Sequence, residues 1–373
     1  MQAELTIQTK NHIPQLDGLR GIAILMVICY HYFPHIFIFN FGWSGVDLFF
    51  VLSGFLITGR LLPYLDDKKI LLKFYRNRFL RIVPLYFSFL ILFFACWFLL
   101  NSKETLNSFK FYNNHWWQFF LFIQNWVFAG NIHEIKTHLL HLWSIAVEEQ
   151  IYLLFPLFLL FIRKKKIIFF TSVALIFSVL IYRCIFVIFF LADDEYNKIF
   201  WNTFFRLDSF LAGVLVYFVY NKIIKVGKLL YALQWIGLIC LALILAQIII
   251  TTDLEKNNPF TASYGYTIIA IMYASLLWTT LLKKNKLIKL ITSARFLRFT
   301  GKISYCMYII HWPLFLTGFA VLNKIFSFFH LTINNNAMQL INALCCIPLT
   351  YFLSYISFKY FESYFLRKKL THI

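Results

Sequence analysis

Long uninterrupted blocks of apolar residues constrain this chain more than any other feature. A helix that crosses a bilayer needs about 20 predominantly apolar residues, and the sequence contains ten blocks of roughly that length. They lie at 20–38, 44–62, 82–100, 139–162, 167–190, 200–220, 229–250, 264–282, 303–323 and 340–362. Because the apolar residues are not alternated with polar ones, the pattern favours helices over barrel strands. We therefore predict an all-α polytopic membrane protein with about ten transmembrane helices.

The composition supports this prediction. Hydrophobic residues make up 61% of the chain and charged residues only 14%, whereas about a quarter of a soluble protein's residues are charged. A further apolar stretch, 116–129, is short and polar at several positions, and it is interpreted as an interfacial or re-entrant piece. The seven cysteines all lie in apolar blocks without metal-ligand spacing, so no disulfide and no metal site is predicted.

The distribution of positive charge predicts the orientation of the chain. The formal net charge is +19, but the charges are spread over short connecting segments, which argues for membrane orientation and against nucleic-acid binding. The segments 1–20, 60–81, 163–166, 222–228, 283–302 and 367–369 carry 26 Lys and Arg, and the segments on the alternate side carry six. This asymmetry predicts that both termini are cytoplasmic. We expect a single membrane domain over residues 1–373, with no separate soluble domain.

The first apolar block carries a cation at its start and an imidazole deep inside. Arg20 and His31 are eleven residues apart, which is within about 20° of three full helical turns, so both side chains lie on one helix face. The rise over this distance is about 16 Å, which places His31 near the middle of the membrane. Ionisable residues at that depth are costly and usually functional. A buried structural ring and an interfacial, orientation-setting arginine are the alternatives.

Further polar residues lie within the predicted spans. Glu148 and Glu149 are adjacent in "HLLHLWSIAVEEQIYLLFP", so they point about 100° apart and are expected to serve different partners. A structural ion pair between helices is the alternative. In "GKISYCMYIIHWPLF" His311 also lies near mid-depth, where Pro313 should loosen the helix.

Further charged residues lie in two other spans, and two of them, Arg206 and Asp208, are predicted to be structural rather than catalytic. Arg206 and Asp208 lie in "FRLDSFLAG", and their spacing of two does not favour a direct pair on one helix. Each is therefore expected to reach another helix. Asp47 lies near the outer end of the second span, which is rich in glycine and serine and so allows close helix packing.

A group of arginines precedes the third span. Arg78 and Arg81 are i,i+3 neighbours, and Arg76 is close to them in "FYRNRFLRIVPLY". Arginine binds phosphate oxygens in a two-point fashion, which makes these residues a candidate phosphate site. A juxtamembrane patch on anionic lipid headgroups is the alternative.

Taken together, these motifs resemble the acyltransferase-3 family of integral-membrane acyltransferases. The matching stretches, in the order of the family, are "LDGLRGIAILMVICYH", "GVDLFFVLSGFLI", "RNRFLRIVPLY", "HLWSIAVEEQIYLLFP" and "KISYCMYIIHWPLF". The resemblance covers essentially the whole chain and is specific to the family but not to a substrate. The family's functional positions fall on Arg20 and His31, on Arg76 and Arg78, on Glu148 and Glu149, and on His311.

The resemblance implies an O-acetyltransferase of the bacterial inner membrane. The expected donor is acyl-CoA, most simply acetyl-CoA, with its phosphates held by Arg76 and Arg78 and with Arg81 nearby. His31 would act as general base or transient acyl carrier, oriented by Glu148 or Glu149, while Arg20 would hold the donor or tune its entry. The expected partners are membrane lipid and an extracytoplasmic or lipid-linked glycan, such as the O-antigen of lipopolysaccharide, that accepts the acyl group on a hydroxyl.

Two other classes of protein remain open at this point. A proton-coupled transporter or flippase would also place histidine and glutamate at mid-membrane, and a structural scaffold could use the same groups as buried ion pairs. The arginine pair favours the acyltransferase, because plain proton coupling needs no phosphate site. The sequence does not indicate an oligomeric state.

Overall fold

The computed structural model is helical wherever regular structure is described. It describes residues 13–67, 69–100, 106–130, 138–190, 196–221, 229–251, 256, 258–282 and 285–369. Within those ranges no strand is found, which confirms the all-α prediction.

The described ranges contain α-helices of widely different length. They are α1 (Pro14–Tyr32), α2 (Gly45–Leu61), α3 (Ile70–Leu100), α4 (Leu106–Phe120), α5 (Gln124–Gly130), α6 (Trp143–Ile162), α7 (Lys165–Phe189), α8 (Asn197–Phe200), α9 (Leu207–Tyr220), α10 (Leu229–Thr251), α11 (Tyr266–Leu282), α12 (Lys286–Ser293), α13 (Arg295–Phe328), α14 (Asn335–Ile356) and α15 (Ser363–Arg367). Short 3-10 turns precede α2, α6 and α9, and π-helical turns precede α11 and follow α14.

Eight helical stretches of the described chain are long and apolar enough to cross a membrane. This confirms a polytopic membrane protein. The predicted spans 20–38 and 200–220 are not among the eight. For the second, the reason is that α9 has only 14 residues. The stretch 116–129 falls on α4 and α5, which have 15 and 7 residues, and neither is long enough alone to span the bilayer.

Proline sets both ends of α1. Pro14 stands at the first turn, where its missing N–H costs nothing and its fixed φ suits a helix. The helix ends at Tyr32, because a residue before proline avoids the helical conformation and Phe33 precedes Pro34. The predicted boundary at residue 38 was therefore wrong, and His31 lies in the last turn of α1.

Glycines allow α1, which carries His31, to pack directly on α13. A Cβ added to Gly301 would lie 1.8 Å from the carbonyl oxygen of Asp17, and one added to Gly21 would lie 2.1 Å from that of Leu297. The backbones of the two helices are thus in contact, as small residues permit in membrane interfaces. In the same way, Gly213 of α9 faces the carbonyl oxygen of Val51 in α2.

We expect Gly301→Ala to destabilise the protein by about 1–3 kcal/mol, the usual cost of overpacking a close interface. The added methyl group must push α1 away from α13. Gly130→Ala is the matched control, because a Cβ at Gly130 would meet nothing within 4 Å. Thermal unfolding of the purified variants in detergent measures both effects, and equal midpoints for the two variants would contradict the packing described here.

Candidate active site

Helices α1 and α2 run antiparallel and carry functional side chains at both ends. Arg20 lies in the first half of α1 and Arg60 near the end of α2. At the opposite end, His31 lies in the last turn of α1, and Trp43 precedes α2. Each end borders a cavity. We call them the arginine cavity and the histidine cavity.

The arginine cavity is open to solvent, and its atom-free space, counted together with the open part, is about 870 Å³. Residues from α1, α2, α3, α6 and α13 line it. Its charged and polar lining residues are Arg20, Arg60, Arg78, Arg81, Glu148, Ser53, Tyr152, Ser144, Ser304, Tyr305 and Tyr308. Among these described residues four are arginines and one is a carboxylate, so the cavity suits an anionic ligand.

Glu148, the carboxylate of this lining, accepts hydrogen bonds from two uncharged side chains. Ser53 donates a hydrogen bond to Glu148 Oε1 at 2.7 Å, and the Tyr152 hydroxyl donates another at 2.7 Å. The guanidinium of Arg78 stacks on the Tyr152 ring, 3.6 Å from its centroid. Glu148 therefore helps to hold Arg78 in place through Tyr152.

The positive potential extends to the chain beyond α15. Burial, together with repulsion from Arg81, Arg60 and Arg78, lowers the pKa of Lys369 to about 6. An ordinary lysine has a pKa near 10.4. Burial is the larger cause, and the arginines add a repulsion that a bound anion would relieve.

Arg76 does not belong to this cavity. Its side chain is exposed, so the structure does not bring the predicted pair of Arg76 and Arg78 together in one cavity. The reason is helical geometry: residues i and i+2 are about 200° apart around the axis, whereas i and i+3 are neighbours. Since α3 begins at Ile70, Arg78 shares its face with Arg81, and Arg76 points away.

Glu149 also lies outside the lining of the arginine cavity. Its Oε1 atom is buried without a hydrogen-bond partner within the described residues. Its neighbour Gln150 donates to the carbonyl oxygen of Phe122 at 2.7 Å and to Asn125 Oδ1 at 2.8 Å, which anchors α5 to α6. The adjacent carboxylates thus have different surroundings, as their angular separation predicted.

The histidine cavity is smaller, about 300 Å³. Its lining is mostly aromatic, with two imidazoles and one amine. The lining residues are Val27, Tyr30, His31, Trp43, Val46, His141, Trp143, Phe200, Lys256 and Tyr308. Flat apolar rings with a few polar groups are typical of small-molecule sites.

The hydrogen bonds of His311 and His31 define their neutral tautomers. His311 Nδ1 lies 2.7 Å from the carbonyl oxygen of Tyr308, so this nitrogen donates and Nε2 accepts. That Nε2 lies 3.2 Å from His31 Nδ1, which is also 2.9 Å from the carbonyl oxygen of Val27. His31 Nδ1 therefore carries the proton, and Nε2 keeps its lone pair. The described chain provides no hydrogen bond to His31 Nε2, so this atom can accept a proton in the cavity.

His311, and not a glutamate, forms the side-chain hydrogen bond that orients His31. Glu148 and Glu149 were predicted to fill this role, and the structure places neither of them in a described hydrogen bond with His31. His141, just before α6, lies against His311, with ring centroids 5.1 Å apart. Glu148 is seven residues further along, about 10 Å down the helix axis, and there it reaches the arginine cavity.

Arg206 and Asp208, which were predicted to be structural, each take part in a buried ion pair. Arg206 contacts Asp47 at 2.5 Å, and Arg183 contacts Asp208 at 2.8 Å. Arg206 and Asp208 thus each reach another helix, as their spacing predicted. Arg183 also donates to Thr267 and to the carbonyl oxygen of Phe205. All four side chains are fully buried, so the pairs connect α2, α7 and α9.

We expect removal of one partner of the Arg206–Asp47 pair to cost more stability than removal of both. Arg206→Met leaves a buried carboxylate uncompensated, which typically costs about 3–5 kcal/mol. The double variant Arg206→Met with Asp47→Leu strands no charge and should recover most of that loss. Thermal unfolding midpoints of the two variants measure the difference, and a double variant less stable than the single one would show that the pair is not the cause.

Sequence reasoning missed several residues of the two cavities. Arg60 was counted only as an orientation charge and Ser53 only as a small residue for close helix packing, while His141, Tyr152 and Tyr308 were given no role. His141 lies in the quoted "HLLHLW" motif, three residues after His138, so a second histidine at the start of a span was the available signal. No group of His, Cys, Asp or Glu in the described ranges could hold a metal ion.

The described residues form a helical membrane protein with one cavity lined by four arginines and another lined by two histidines. Residues 13–359 match the acyltransferase domain of the acyltransferase-3 family. The chain therefore belongs to this family of membrane acyltransferases. No solved structure matches it.

Named relatives share about half their length with this chain. The peptidoglycan O-acetyltransferase OatA of Listeria monocytogenes is 29% identical over 330 residues, which is 83% of this chain and 50% of the relative. The O-acetyltransferase OatA of Staphylococcus aureus is 30% identical over 323 residues, or 81% and 50%. A putative O-acetyltransferase of the same species is 31% identical over 337 residues, or 85% and 52%. The chain thus spans about half the length of these relatives.

Proposed function

We propose that this protein transfers an acyl group, most simply acetyl, from cytoplasmic acyl-CoA to a glycan hydroxyl on the other side of the membrane. The observation that carries this proposal is the pairing of the two cavities. One presents four arginines and the other an imidazole with a free lone pair, and both border α1 and α2. The names of the relatives support O-acetylation.

The donor is assigned to the arginine cavity. Coenzyme A carries several phosphate oxygens, and guanidinium groups bind such oxygens through paired hydrogen bonds. Arg20, Arg60, Arg78 and Arg81 all line this cavity. The excess of Lys and Arg in the segments around them supports a cytoplasmic orientation, in the inner membrane of a bacterium. The thioester would then point from this cavity toward His31.

His31 is assigned the proton transfer. Its Nε2 takes the proton of the acceptor hydroxyl while the hydroxyl oxygen attacks the thioester carbonyl carbon. The carbon–sulfur bond then breaks, and the thiolate of coenzyme A leaves and takes up the proton. His311 keeps the imidazole in the required tautomer. If His31 acts as a transient acyl carrier, the same Nε2 is the nucleophile.

The acceptor is assigned to the histidine cavity. The rings of Tyr30, Trp43, Trp143 and Phe200 line it, and they offer flat apolar surfaces against which the C–H face of a sugar ring can pack. One relative is named for peptidoglycan. A cell-surface glycan is therefore the proposed acceptor class, within which the O-antigen of lipopolysaccharide remains a prediction.

Two measurements test this function. Mass analysis of surface glycans from cells with and without the gene should reveal acetyl increments only when the gene is present. The purified protein should consume acetyl-CoA when membranes that contain the acceptor are added. A protein that moves protons or glycans across vesicles without consuming acetyl-CoA would be a transporter, and the proposal would be wrong.

A further inference from the structure

The two cavities share part of their walls. Val46 of α2 and Tyr308 of α13 are common to both linings. Both are buried, with 6% and 7% of their surface exposed. These two side chains therefore lie between the arginine cavity and the imidazole of His31.

Hydrogen bonds fix the ring of Tyr308 in this position. The Tyr308 hydroxyl donates to the carbonyl oxygen of His141 at 2.7 Å, and it lies 2.5 Å from the hydroxyl of Ser144. Both partners lie at the start of α6, so the phenol connects α13 to that helix. A hydroxyl held at two points keeps the ring across the boundary between the cavities.

The position of this ring has a chemical consequence. If the phosphates of acyl-CoA lie among the arginines and the thioester reacts at His31, the acyl-bearing arm must pass between Val46 and Tyr308. While the ring is in place, it separates a thioester on the arginine side from water that His31 can activate in the histidine cavity. Exclusion of water protects reactive groups from hydrolysis.

We infer that Tyr308 is a positioning residue that couples thioester cleavage to the acceptor by separating the two cavities. This inference rests on the proposed function. When the barrier is lost, water replaces the sugar hydroxyl: its oxygen attacks the carbonyl carbon, the carbon–sulfur bond breaks, and free carboxylic acid and coenzyme A thiol form. When the barrier is present, the thioester reaches His31 only where the acyl arm passes between Val46 and Tyr308, and the same cleavage then yields the acylated glycan.

The side chain of Tyr308 can be changed without removing its backbone contact to the active site. The carbonyl oxygen of Tyr308 accepts the hydrogen bond from His311 Nδ1, and a substitution retains this carbonyl. Tyr308→Ala removes the ring and opens the wall. Tyr308→Phe keeps the ring and removes only the hydroxyl bonds, and it is the matched variant.

The experiment uses the purified full-length protein with acetyl-CoA in membranes that contain the acceptor. The measured quantity is the ratio of free acetate to acetylated glycan. We expect Tyr308→Ala to raise this ratio on the order of tenfold, because water gains access to the thioester. Tyr308→Phe should raise it less, because its ring remains in the wall although the hydroxyl bonds that fix it are lost. A general structural defect would lower both products together and leave the ratio unchanged.

The outcomes separate this inference from the proposed function. If the wild-type protein neither cleaves acetyl-CoA nor forms acetylated glycan, the proposed function is wrong. If the wild type forms product and Tyr308→Ala shows the wild-type ratio, only the role of Tyr308 is overturned. If Tyr308→Ala does not accumulate, Val46→Ala opens the same wall from α2, and an unchanged ratio in that variant overturns the inference.

Discussion

His31→Gln is expected to reduce acyl transfer by about 10²- to 10⁴-fold, the range by which general acid–base groups contribute to catalysis, with acyl-CoA binding intact. Glutamine keeps a similar size and can form a hydrogen bond to the carbonyl oxygen of Val27, as His31 Nδ1 does at 2.9 Å. It has no nitrogen lone pair that can accept a proton at neutral pH. Donor binding should persist, because the arginines line the other cavity.

The measurement is glycan acetylation in cells that carry each variant at matched membrane levels. Acetyl-CoA affinity of the purified variant shows whether the donor site is intact. His35→Gln is the matched control, because the same substitution is made at an exposed histidine, and it should retain wild-type acetylation. Substantial acetylation by His31→Gln would exclude both the base and the carrier role and would leave His31 as a structural ring.

Arg78→Ala is expected to weaken acetyl-CoA binding by about 10- to 100-fold, the usual effect of losing a hydrogen bond to a charged group. Arg78 lines the arginine cavity, and its guanidinium group stacks on Tyr152. The guanidinium group is therefore already positioned for a phosphate. Arg78→Lys keeps the charge but not the guanidinium group, and it should retain part of the affinity. Equilibrium binding of acetyl-CoA to the purified protein measures the three affinities.

Arg76→Ala provides a control from the same helix. Arg76 is exposed and does not line the cavity, so its removal should leave acetyl-CoA affinity unchanged. If the two arginines instead contacted only lipid headgroups, both alanine variants would bind acetyl-CoA as the wild type does. Equal losses in the two variants would mean that the phosphate site includes both faces of α3, against the geometry described here.

The amino-acid sequence determined the features that depend on neighbouring residues. Block length and the absence of alternation gave an all-helical membrane protein, because the hydrocarbon core dictates the length of a spanning helix. The helical period correctly predicted different surroundings for Glu148 and Glu149. It also correctly predicted that Arg206 and Asp208 contact residues of other helices. The same rule would have separated Arg76 from Arg78, had it been applied to α3.

Only the tertiary structure decided which distant residues meet. His31 and His311 are 280 residues apart in the chain, and Asp47 and Arg206 are 159 apart. Helical periodicity gives the direction of a side chain around its own axis, but it does not give the depth or the neighbour of that helix in the bundle. The depth and the neighbours of a helix depend on where glycines such as Gly301 allow two backbones to come into contact. For this reason the partner of His31 is an imidazole on α13, and the carboxylate expected there lies among the arginines at the other end.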